Sequence, residues 1–251
     1  MSNKIDILYI IGRGSQWGNN ELRFSLRSIA KYGRNINRVI IAGYIPRFVN
    51  RETCICLPIQ DKTMCKHWNI LNAIISACKA VELTDDFLYS SDDHFYFRDT
   101  DFANYPYYVQ GPLPPLCSSG ELNGTYRQTL INTRELLRKH GYDAWRYSWH
   151  GNTHMNRTLI LSDEFQALAR EANTIPDGCE PTCMVLNVLA KQRKIERTLR
   201  EDYKPRNDTP LAALKEALAN RECVSMNNEI GGSALHDLLM AEFPTKCVYE
   251  M

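Results

Sequence analysis

The sequence has no excess of charge of either sign. Thirty Lys and Arg against 29 Asp and Glu leave a net charge of +1 over 251 residues. That balance argues against a dedicated basic coat for nucleic acid, although a local basic groove is compatible with it. Long apolar runs are missing as well. The first, Ile5 to Ile11, spans seven residues, against the roughly 18–20 that a membrane-spanning helix needs. It is also short for a secretory signal and lacks a small-residue cleavage site, so it reads as a buried strand. There is no internal repeat, no low-complexity segment and no clear linker. The G-x-G-x-x-G fingerprint and the Walker pattern are both absent, which sets aside a dinucleotide-binding domain and a P-loop. Cysteine is plentiful but unpatterned. Nine cysteines at irregular spacings do not make a disulfide framework, and they suggest a reducing cytoplasm. Cys179-x-x-x-Cys183 has the look of half a zinc site. No second Cys or His pair has matching spacing, so ordinary thiols are expected.

What is present is ordinary for a globular protein: 44% apolar and 24% charged residues. A single α/β domain over residues 1–251 is expected, with one half to about residue 110 and a second half from about residue 111. The first hundred residues alternate strand and helix. Strands are expected at Ile5–Ile11, Arg38–Tyr44, Thr53–Ile59 and Asp86–Ser91. A helix capped by Asn20 carries Leu22, Leu26, Ile29 and Ala30 on one face and stops at Gly33. A second runs from about Lys62 to Val81, with Ile70, Ile74, Ala77 and Cys78 inward. Such alternation implies a mostly parallel sheet with helices on both faces and ligand-binding loops along one edge. The second half is less regular. It suggests a strand at Tyr105–Val109 and helices at about 123–140, 163–171 (capped by Ser162), 181–192, 209–220 (opened by Thr209-Pro210) and 233–243.

The sharpest motif is Ser90-Ser91-Asp92-Asp93-His94-Phe95. Two adjacent carboxylates close an apolar strand, where a turn lets both face one pocket. Such oxygen donors suit a hard divalent cation, which in turn can neutralise a diphosphate. A solvated strand-to-loop turn is the plainer alternative. Gly12-Arg13-Gly14 follows the first strand; glycine permits close backbone approach and Arg can pair a phosphate. Arg23 and Arg27 lie four apart on the first helix, and can point to phosphates or form a solvated flank. Lys62 and Asn69 share a helix face after the third strand. His150 and His154 flank Gly151-Asn152-Thr153, either as a metal ligand and a base or as structural histidines. Glu180 opens a helix, where it can serve as a base for an acceptor hydroxyl or simply complement the helix dipole.

Several ordered blocks resemble the Stealth family of capsular polysaccharide phosphotransferases. They are Ile5-Asp6-Ile7-Leu8-Tyr9, Glu21 to Tyr32, Ile45-Pro46-Arg47-Phe48-Val49-Asn50, and Phe87-Leu88-Tyr89-Ser90-Ser91-Asp92-Asp93-His94-Phe95. The resemblance covers roughly residues 5–97. It implies a GT-A-like, Rossmann-like fold that binds a nucleotide diphosphate-sugar in the first half and an acceptor in the second. It also implies a divalent cation, Mg²⁺ or Mn²⁺, for which Asp92 and Asp93 are the candidate ligands and His154 a candidate third. Gly12, Arg13, Gly14, Arg23, Arg27, Lys62, Asn69 and Asp92 become candidates for the donor, and Asp93, His150 and Glu180 candidates for catalysis. Sugar transfer to a hydroxyl is the leading expectation, on a glycan or, by analogy with phage-type enzymes, on a hydroxymethylated base of DNA. Transfer of a hexose 1-phosphate with release of a nucleoside monophosphate is the second reading. A non-catalytic carbohydrate- or DNA-binding protein is the third.

Overall fold

The computed structural model describes residues 4–113, 124–148, 152–195, 203–226 and 233–251. In chain order the elements begin with β1 (Ile5–Ile11), α1 (Asn20–Tyr32), β2 (Gly33–Arg34), β3 (Ile36–Gly43), β4 (Cys54–Pro58), α2 (Lys66–Ala80) and β5 (Asp86–Ser90). Then come β6 (His94–Tyr96), β7 (Thr100–Asp101), β8 (Val109–Gly111), α3 (Gly124–Lys139), β9 (Tyr147–Ser148), β10 (Thr153–Asn156) and α4 (Arg157–Leu161). The last are α5 (Asp163–Ala172), α6 (Pro181–Leu189), α7 (Leu211–Ala219), β11 (Cys223–Ser225) and α8 (Ala234–Glu242). The fold is mixed α/β, with a mostly parallel central sheet flanked by helices, as the alternation predicts. Two compact units interleave along the chain: Met1–Pro58 with Leu88–Tyr105 and Arg200–Met251, and Ile59–Phe87 with Pro106–Leu199. Among the described residues no helix is long and apolar enough to cross a membrane.

The first unit holds the parallel strands in the order β5-β1-β3-β4. Ile7 pairs with both Val39 and Leu88, and these strands are buried along most of their length. One member of the first run is not apolar. Asp6 is fully buried, and its carboxylate accepts from Asn37 at 2.8 Å and from Arg38 at 2.5 and 3.0 Å. A buried charge survives only with such partners. Phe24 of α1 joins Phe95, Leu214, Val224, Met226, Leu235, Leu239 and Phe243 in one apolar cluster. Two helix-end expectations are corrected. The N-cap of α1 is Asn19, in the left-handed region at φ 61°, and Asn20 is already helical. Gly33 does end α1, but with an extended backbone at φ −73°. Its glycine serves close approach instead: a Cβ there would lie 2.4 Å from the Ile29 carbonyl oxygen.

In the second unit α6 is buried at every position, and Ser162 caps α5 by accepting from the Phe165 N–H, as expected. Asp85 and the first two residues of β5 belong to this unit. Here the aspartates that open β5 are gripped from several sides. Arg193 donates two hydrogen bonds to Asp86 at 2.9 and 3.0 Å. The Asn156 amide donates to Asp85 and Asp86, and the Thr158 hydroxyl donates to Asp85 at 2.5 Å. The Thr158 bond does most to hold Asp85 below its usual range. For Asp86 burial pushes upward, but Arg193 and Asn156 outweigh it and the carboxyl lies low.

Other expectations are also corrected. α2 starts at Lys66, because the Asn69 side chain accepts from the Lys62 and Thr63 N–H groups and holds that stretch as a turn. Ile70 is only partly buried, and Leu71 is inward instead. A 3₁₀ turn at Phe102–Asn104 delays the next strand to β8, where Tyr105–Val109 was the expected span. Pro210 is the N-cap of α7 and not its first helical residue. Cys179 and Cys183 are both buried, and burial pushes the Cys179 thiol up to about 12. Among the described residues no group of three or more His, Cys, Asp and Glu side chains is placed to hold a metal by itself.

Candidate active site

Two loops leave the sheet of the first unit at one edge. β1 and β5 are parallel neighbours, with Tyr9 opposite Ser90, so the segments after Ile11 and after Ser90 emerge side by side. The first is Gly12-Arg13-Gly14. A Cβ on Gly12 or Gly14 would meet nothing within 4 Å, so both face open space. The rest of this loop is tied down. The Ser15 hydroxyl donates to Glu21 at 2.8 Å and accepts from the N–H groups of Trp17 and Asn19 at 3.2 and 2.7 Å. Trp17 then stacks on Phe24, with ring centroids 5.3 Å apart. β3 ends alongside at Gly43, and the Tyr44 N–H donates to the Ile11 carbonyl at 2.8 Å. The Arg13 guanidinium lies over the Tyr44 ring, 5.1 Å from its centroid. Tyr44 thereby joins the candidate site, as a residue that periodicity alone does not reveal. Its signal is an aromatic residue directly after the glycine that closes a strand.

The second loop carries Asp92 and Asp93, both partly exposed. Asp93 Oδ1 lies 3.0 Å from His94 Nδ1, and its Oδ2 lies 3.9 Å from the Lys204 ammonium. The Met226 N–H donates to the Asp93 carbonyl at 3.1 Å, and His94 pairs with Ser225 across β6 and β11. β11 therefore fixes the backbone at the pair while the carboxylates remain partly open to solvent. On β1, opposite Ser90, the buried Tyr9 phenol is hydrogen-bonded to Ser25 Oγ at 3.0 Å. Burial pushes Tyr9 well above its usual range, and the charge of Asp92 adds to the rise.

The donor set fits a hard divalent cation. Ions of the Mg²⁺ type are often held by one or two carboxylates, with substrate phosphates and water completing the shell. Two partly exposed carboxylates match that mode.

Other expected site residues have different surroundings. Arg23 and Arg27 bind the buried Glu250 carboxylate, at 3.0 Å from Arg23 and at 2.6 and 3.0 Å from Arg27. Burial alone would raise Glu250, but Arg27 in the first place holds it below the usual range. Asn69 is occupied by its turn, and Lys62 contributes its backbone N–H to the same turn. Glu180 is the N-cap of α6, accepting from the Cys183 N–H at 2.9 Å and from the Thr182 hydroxyl at 2.5 Å. His154 is buried on β10, its ring 5.6 Å from that of Tyr107. His150 lies outside the described residues. Within the first unit, then, Gly12, Arg13, Gly14, Asp92 and Asp93 share one sheet edge, while Arg23 and Arg27 serve Glu250.

No family model and no curated protein matches the chain. Among solved structures it is similar to the apo form of the glycosyltransferase GlyE of Streptococcus pneumoniae TIGR4. Identity is 11% and the TM-score 0.46, over 97% of this chain and 61% of that one. A second structure of GlyE is similar at 10% identity and a TM-score of 0.41, over 78% of this chain and 45% of that one. The chain thus spans less than two thirds of the length of either.

Proposed function

We propose that the protein is a metal-dependent transferase acting on a nucleotide diphosphate-sugar, with transfer of the sugar to a hydroxyl acceptor. One observation carries this reading: a Gly-Arg-Gly loop and an Asp-Asp pair emerge together at the edge where β1 and β5 end. In open α/β sheets that edge is where ligands bind. Asp92 and Asp93 would hold Mg²⁺ or Mn²⁺. When bound, that cation neutralises charge on the diphosphate leaving group. Gly12 and Gly14 leave room for a ligand beside the backbone, and Arg13 offers a guanidinium for phosphate or a face for a base. Ser15 and the Trp17–Phe24 stack keep that loop in place, which lowers the ordering cost of binding.

The test is thermal stability against a panel of nucleotide-sugars with and without Mn²⁺. A ligand bound only by the native state raises the melting temperature by mass action. A metal-dependent rise with one donor is the expected result. The released nucleotide then names the bond broken: a diphosphate for sugar transfer, a monophosphate for transfer of a sugar phosphate. No rise with any donor, in a folded protein, would overturn the proposal.

A further inference from the structure

Asp93 has a cation beside it from far along the chain. Lys204 Nζ stands 3.9 Å from Asp93 Oδ2, an ion pair too long to be a hydrogen bond. The backbone next to Lys204 is well anchored within the same unit. The Tyr203 carbonyl accepts from the Ser225 N–H at 3.0 Å, and the Met226 N–H donates to the Asp93 carbonyl at 3.1 Å. The Tyr203 ring packs on the apolar cluster around Phe95 and Val224, with the Arg221 guanidinium 5.3 Å from its centroid. The segment holding Lys204 is thus tied to the β11 extension that also holds Asp93. The Lys204 side chain itself is 51% exposed. A pair at this distance and exposure contributes little to stability, so little opposes its exchange. An ammonium on a four-carbon stem can turn from a carboxylate to a phosphate, to which it offers three donors.

We propose that Lys204 is the diphosphate-contacting cation of this site: it rests on Asp93 in the donor-free protein and passes to the diphosphate oxygens when a divalent cation takes Asp93. The inference rests on the reading of Asp92 and Asp93 given above, and it makes a prediction of opposite signs. With Mn²⁺ alone, Lys204 competes for Asp93 and weakens the metal. With Mn²⁺ and a nucleoside diphosphate together, Lys204 strengthens binding. A lysine that only supports the fold would move neither quantity, or both in the same direction.

The experiment is isothermal titration of wild type, Lys204→Gln and Lys204→Arg. Each is titrated with Mn²⁺ alone, then with UDP, GDP, ADP and CDP at saturating Mn²⁺. Lys204→Gln should bind Mn²⁺ about threefold more tightly, as expected for removing a like charge at about 4 Å in a wet site. It should bind the preferred diphosphate about tenfold more weakly, the usual loss for a charge-assisted hydrogen bond. Lys204→Arg should recover most of the diphosphate affinity. If Lys204→Gln matches wild type in both titrations, or shifts both the same way, the role of Lys204 is overturned and the donor site stands. If wild type binds none of the diphosphates, the donor reading fails and the inference fails with it.

Discussion

Two pairs of adjacent aspartates frame β5, and they live in different environments. Asp85 and Asp86, at its start, are held by Arg193, Asn156 and Thr158 at hydrogen-bond distance. Asp92 and Asp93, after its end, are partly exposed, and the Lys204 ammonium stops 3.9 Å from Asp93. A carboxylate satisfied by a two-pronged guanidinium has its lone pairs occupied and is a structural tie. Asp92 and Asp93 are the pair to which the proposed function gives the different task of taking a cation. Residue type alone does not separate such roles.

Substitution should separate the pairs most sharply in activity. With the donor identified, Asp92→Asn should lower turnover at least about hundredfold, since the cation's charge stabilisation amounts to several kcal/mol. Asp86→Asn should leave turnover within about twofold, because its carboxylate meets only structural partners in the comparison above. Equal losses would erase the distinction. Stability should divide the other way. Asp86→Ala leaves Arg193 without its carboxylate and should cost about 1–2 kcal/mol by urea unfolding. Asp92→Ala should stay within about 0.5 kcal/mol.

Acid should then expose the structural pair. The folded-state values of Asp85 and Asp86 lie below the ordinary 3.8. A depressed carboxyl adds stability that is fully present above its unfolded value and is lost as pH falls through the folded one. Unfolding free energy should therefore drop below about pH 4, and Asp86→Asn should flatten that drop. Glu250 acts in the same direction from an ordinary value of 4.5, so part of the slope should remain in that variant. The smallest effect concerns Glu180. Removing this helix cap with Glu180→Ala should cost about 1 kcal/mol. Donor affinity should be unchanged; a weakened donor without loss of stability would move Glu180 from the structural class to the functional one.

The central strands, the order of the main helices and the Asp92–Asp93 motif were legible in the sequence. Strands β1, β3 and β5 are apolar enough to read directly, and alternation with helices leaves few topologies. What local pattern could not show was long-range pairing. Arg23 and Arg27 have the spacing of a phosphate clamp, yet their partner is Glu250, more than 220 positions away along the chain. Lys204 follows a basic stretch that reads equally as a solvated helical face or as a basic wall for a diphosphate, and only Ser225 and Met226 bring it and Asp93 to the same place. Asn69 shares a helix face with Lys62 only if the helix begins early, and its own side chain prevents that. The cap formed by Ser162 follows from short-range chemistry and was readable.

The most direct measurement is Mn²⁺ binding by electron paramagnetic resonance in three proteins side by side: wild type, Asp92→Asn and Asp86→Asn. Wild type and Asp86→Asn should bind Mn²⁺ with the same affinity, and Asp92→Asn should lose at least about tenfold. Equal affinity in all three, or a loss confined to Asp86→Asn, would contradict the assignment of the cation to the pair at the end of β5.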